Sequence, residues 1–144
     1  MKKPFLLCIL LVAIAFTSCK NDDDDKINNS IVGAWKLANA TDTDGAPINL
    51  LDCEKNTIYT FTDNTFSQRN FEANQDRTDC LPVAENSASY RTNGDKIEFL
   101  DAQGAVITST ESQFTFSVAA DKLEIIDTDP STGNVVIERS FDRQ

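Results

Sequence analysis

Two short alternating runs, ASYRT and DKIEFL, flank the dipeptide Asn93-Gly94. Asn-Gly tolerates positive φ at both positions. That is what a type I′ turn requires, and its twist matches that of two antiparallel strands. The chain is therefore expected to form a β-hairpin here. The same pattern recurs from Ser30 to the C-terminus. IVGAWKLANA alternates, with Ile31, Trp35 and Leu37 on one side, and TDTDGAP turns it. TIYTFT and TFSQRNF flank Asp63-Asn64, SQFTFSVA turns at AAD into KLEIID, and TDPSTGN leads into VVIERSF. AVITST reads as a further strand, and EANQDRTDCLPVAENS, which has no periodicity, as the one long loop. Turn signals every 8–12 residues without a helical period indicate an antiparallel meander, as a barrel or a sandwich. Short connections favour an up-and-down order, and closure removes exposed edges. The expected fold is all-β: an antiparallel up-and-down barrel of about eight strands over residues 30–144.

The N-terminus has a different organisation. Lys2 and Lys3 precede an uncharged run from Phe5 to Phe16, followed by Thr17, Ser18 and Cys19. This is the order of a secretory signal: basic head, apolar core, small residues at the cut. The run is shorter than the roughly 20 apolar residues of a membrane-spanning helix. Residues 1–18 are thus expected to be a signal peptide. Residues 19–29, with Asp22 to Asp25 in a row, read as a solvated tether, because adjacent like charges repel and resist packing.

Two lysines and no acid leave with residues 1–18, which moves the formal charge from −10 to −12. Such a balance opposes nucleic-acid binding, which requires Lys and Arg against phosphate. The chain has no histidine, hence neither the commonest general base nor the commonest zinc ligand. No catalytic set, metal site or cofactor motif is read from it. The segment DTDPSTGN, with Asp127, Asp129, Ser131 and Gly133, only superficially matches a calcium loop and reads as a turn. Cys8 leaves with the signal. Cys53 and Cys80 remain in an exported chain, where a disulfide between them is expected.

Three stretches resemble known patterns. FTSC, from Phe16 to Cys19, resembles the lipobox of bacterial lipoproteins, which implies that Cys19 carries the lipid. Two or three acyl chains hold a protein firmly to a bilayer, whereas one holds weakly. CKNDDDD is similar to the acidic export tag of surface lipoproteins in one group of Gram-negative bacteria, which implies a lipid-anchored place at the outer membrane. Gly33-Ala34-Trp35 resembles the Gly-x-Trp motif that opens lipocalins and fatty-acid-binding proteins. In lipocalins an arginine of the last strand packs over that tryptophan and closes the barrel base. The resemblance therefore implies a closure set of Gly33, Trp35 and Arg139, the last on a face with Val135, Ile137 and Phe141. The chain is shorter than classical lipocalins and lacks their loop motifs.

Two function classes follow. In one, a lipid-tethered barrel holds a small apolar ligand against inward aromatics: Tyr59, Phe61, Tyr90, Phe99, Phe114 and Phe116. In the other, these rings fill a small barrel, and the molecule is a non-enzymatic structural or interaction module. A cavity above roughly 300 Å³ distinguishes them.

Overall fold

The structure, a computed structural model, describes residues 30–83, 85–108 and 112–144. The expected signal peptide, Cys19 and the acidic tether lie outside the described residues. Ten strands follow in chain order: β1 (Gly33–Thr41), β2 (Ile58–Phe61), β3 (Thr65–Arg69), β4 (Phe71–Ala73), β5 (Cys80–Pro82), β6 (Asn86–Asn93), β7 (Lys96–Leu100), β8 (Gln113–Ala119), β9 (Lys122–Thr128) and β10 (Val135–Arg143). A single 3-10 turn, Glu54–Asn56, interrupts the β1–β2 connection.

Eight strands close a barrel in the order β1-β10-β9-β8-β7-β6-β3-β2, all antiparallel, with β2 returning to β1. Neighbours around the ring are neighbours along the chain except at the closing pair β1–β10 and at β3–β6. Between β3 and β6, β4 and β5 form a separate two-stranded hairpin within the stretch expected to be a loop. Of AVITST, the described residues 105–108 do not form the expected strand, and the rest lies outside the described residues. Val106 makes only an isolated bridge to Leu100, and Ile107 N–H donates to the Phe99 carbonyl at 2.8 Å. That fold-back occupies the edge of β7, so β7 and β8 pair only at Lys96↔Thr115 and Ile97↔Phe114.

Alternation explains the core. Trp35, Leu37, Phe61, Tyr90, Ile97, Leu123, Ile125 and Phe141 point inward from strands whose intervening residues face solvent. Trp35, Leu123 and Phe141 are completely buried. Two irregularities adjust the pattern. A bulge between Leu37 and Asn39 brings Ala40 inward opposite Arg139. Another between Val135 and Ile137 leaves Val135 and Val136 exposed, so Val135 does not share the inward face expected of it.

The two ends of the barrel are built differently. At one end the β2–β3, β6–β7 and β8–β9 connections are tight turns, and the described chain begins and ends there. At the other end lie the long connections: residues 42–57, 70–85, 101–112 and 129–134. The expectation of one long connection is corrected, because 42–57 and 101–112 are also long. Cys53 and Cys80 form a disulfide that ties the first of these connections to the second.

Candidate ligand-binding lumen

The short-turn end is shut by a stack. The Trp35 indole donates from Nε1 to the Ile31 carbonyl at 2.7 Å. The Arg143 guanidinium lies over its ring, 4.1 Å from the centroid. Arg143 also donates to the carbonyls of Val32 and Ser30, each at 3.3 Å, and faces Asp121. Gly33 sits at φ +147, where side chains are strained, and a Cβ there would meet Arg143 Nη1 at 2.8 Å. The closure therefore needs glycine, tryptophan and arginine, but the arginine is Arg143. The expected Arg139–Trp35 pair is corrected by the register. Trp35 is opposite Arg143, whereas Arg139, four residues earlier on β10, is opposite Ala40. Both arginines face inward, since residues 139, 141 and 143 share a face.

Arg139 lies in the middle of the barrel. It lines a cavity of about 350 Å³ with Tyr59, Phe61, Phe66, Gln68, Ile97, Phe99, Phe114, Ile125 and Asp127. A second space of about 440 Å³ lies between the lumen and the long connections, bounded by Leu37, Leu50, Glu54, Thr57, Asn70, Ile137 and others. The two share Tyr59, Gln68 and Arg139 as their common wall. The β7–β8 seam opens a third space of about 320 Å³, which shares Ile97, Phe99 and Phe114 with the lumen.

Of the six expected lining aromatics, Tyr59, Phe61, Phe99 and Phe114 border the lumen. Tyr90 and Phe116 do not. They sit at the closed end with Ile31, Val32 and Asp63, where the Tyr90 hydroxyl donates to the Thr62 carbonyl at 2.6 Å. Their strands carry them to the stoppered end of the same inward face, so they support the closure instead. Phe66 is the ring that reading the aromatics alone omits. It contacts Tyr59, Phe61 and Phe99 at centroid distances of 5.1, 4.9 and 5.6 Å. These edge and tilted packings, together with Phe99–Phe114 at 5.8 Å, make a continuous aromatic wall.

The polar members were also absent from the sequence-based set, though alternation marks them. Leu123, Ile125 and Asp127 follow one another on one face of β9, and Phe66 and Gln68 on one face of β3. Gln68 Nε2 donates to Asn70 Oδ1 at 2.8 Å. Asp127 Oδ1 is buried and has no hydrogen-bond partner among the described residues. The Tyr59 phenol is held above the ordinary tyrosine range, chiefly by burial. The Arg139 cation opposes this shift and the Asp127 carboxylate adds to it. Such a site can surround an apolar body with rings and face its head with one cation and one carboxylate. Among the described residues no group of three or more carboxylate or cysteine side chains is placed to hold a metal ion.

A family model described as Lipocalin-like domain matches residues 31–105, just over half of the chain. The chain belongs to the lipocalin-like domain family. Its β1 glycine–tryptophan pair lies inside the match, while Asp127, Arg139 and Arg143 of the lipocalin-like barrel lie beyond it. A comparison with curated proteins finds no match.

Proposed function

We propose that this chain is a lipid-anchored lipoprotein of the Gram-negative outer membrane. Its lipocalin-like barrel acts as a non-enzymatic binding module for a small, largely apolar ligand. The observation behind this reading is the aromatic lumen: about 350 Å³ of space, within the range of small-molecule sites. It leads toward a mouth framed by long connections. A barrel filled by its own side chains would leave no such space.

The anchor rests on the order of signal, Cys19 and acidic tether. Ser30, where that tether meets the barrel, lies at the stoppered end beside Arg143.

Two measurements test the reading. Cys19→Ala should move the protein out of the detergent phase; undiminished lipid labelling would defeat the anchor. N-phenyl-1-naphthylamine should fluoresce on binding the wild-type chain. Gln68→Trp, which fills the wall between the two spaces, should abolish that signal. Equal fluorescence from both proteins would place the probe elsewhere.

An interaction role has one specific observation in its favour. Leu51, Leu81 and Ile107 stand 67, 54 and 55% exposed around the mouth.

A further inference from the structure

We propose that the lumen selects a ligand whose head is net neutral and presents both a hydrogen-bond donor and an acceptor. A carboxamide is the simplest such head; a free carboxylic acid is the wrong one. This rests on the ligand-binding reading above and deepens it.

The argument begins with the sheet register. Asp127 stands opposite Ile137 on β10, and Arg139 stands opposite Ile125 on β9. The two are diagonal neighbours on one inward face, a placement that separates residues by roughly 7–8 Å. Both reach the same cavity. Yet Arg139 makes no ion pair or hydrogen bond among the described residues, and Asp127 Oδ1 accepts none. Oδ1 is shielded from the cavity, so a ligand meets the Asp127 carboxylate through its other oxygen.

The chemistry of the head follows from the two groups together. A guanidinium such as that of Arg139 offers only N–H donors, and a carboxylate such as that of Asp127 offers acceptors. A net-neutral head preserves the balance of a cation and a carboxylate on one cavity wall, where the local dielectric is lower than in water. A carboxamide directs its C=O to Arg139 and its N–H to the Asp127 carboxylate. A carboxylate would satisfy Arg139 only. It would set a second negative charge beside Asp127. An ammonium head makes the mirror-image error against Arg139. Above the head, Phe61, Phe66, Phe99 and Phe114 accept a short apolar body.

The test is calorimetric titration of the full chain with octanamide and with octanoic acid, with N-phenyl-1-naphthylamine as a headless probe. Octanamide should bind at least about tenfold more tightly than octanoic acid, the difference expected of one buried hydrogen bond. Asp127→Asn, which removes the charge and can itself donate, should erase or reverse that preference. Arg139→Gln should weaken both ligands. Octanoic acid binding as tightly as octanamide to the wild-type chain overturns the inference, as does an unchanged ratio in Asp127→Asn. If the naphthylamine binds while the ratio is one, the head-group inference falls and the ligand-binding reading stands. If all three compounds fail to bind, both fall.

Discussion

The two ends of this barrel solve opposite problems with the same strands. At the stoppered end Trp35 is wholly buried under Arg143, Gln144 N–H bonds back to the Ala34 carbonyl at 2.9 Å, and three tight turns leave little unpaired backbone. At the mouth four long connections rise from the strands, one disulfide ties two of them, and apolar side chains stand exposed on the rim. Packing a large ring against a planar cation requires short connections. Leaving room inside requires loops that need not fill the centre. Stability is thus concentrated at one end and adaptability at the other, the usual division between a rigid scaffold and the loops that carry function.

If that division is real, substitutions at the two ends should have separable effects. Trp35→Ala should be the most damaging, at about 3–5 kcal/mol, because it empties the centre of the stopper. Arg143→Ala should cost about 1–3 kcal/mol and red-shift Trp35 emission as water reaches the ring. Arg139→Ala should leave that emission unchanged, since Arg139 lies opposite Ala40 and not over the indole. Chemical denaturation with tryptophan fluorescence reads all three. A red shift from Arg139→Ala and none from Arg143→Ala would reverse the assignment of the closing arginine.

Replacing Cys53 and Cys80 together by serine should cost about 2–4 kcal/mol through freer loop closure in the unfolded chain. The folded variant should keep native Trp35 emission, while proteases should cut faster within residues 70–85. A Trp35 shift as large as that of Arg143→Ala would show that the ends are not independent.

The smallest effect belongs to Tyr59, in the wall between lumen and mouth. Burial holds its folded-state pKa above the ordinary value. The neutral phenol therefore contributes stability that is complete below the unfolded tyrosine pKa. It is lost as pH rises through the higher folded value. Alkaline melting curves of wild type should decline more steeply than those of Tyr59→Phe. Arg139→Leu, by removing the cation that opposes the shift, should carry the Tyr59 titration still higher. Superimposable alkaline curves for wild type and Tyr59→Phe would show that the phenol is not buried in the neutral form.

Much of the architecture is legible along the chain because strands and turns are local. The hairpin forms where Asn93-Gly94 marks it, and the Arg91–Glu98 pair at 2.6 Å joins its two strands. The expected type I′ turn is corrected: Asn93 ends β6 opposite Lys96, and of the pair only Gly94 takes a positive φ, +64, so the turn residues are Gly94 and Asp95. Alternation puts Trp35, Phe61 and Phe141 inside without reference to their partners. Asp129 reads as a turn residue, and its carboxylate accepts from the Ser131 backbone and hydroxyl at 2.8 and 2.6 Å. The misreadings arise where a distant segment intervenes. AVITST has the composition of a strand, but residues 101–107 fold back on β7 and take up the pairing edge.

The arginines show the same boundary most plainly. Their sequence determines that Arg139 and Arg143 both face inward, because period-two alternation is a property of the strand itself. Which of them meets Trp35 depends on how β10 slides against β1, set by contacts between residues more than a hundred positions apart. The tertiary register places Arg143 on the indole and Arg139 beside Asp127, making one a stopper and the other a wall of the cavity. A strand carries the direction of each side chain within itself, whereas its partner across the barrel exists only once the ring has closed.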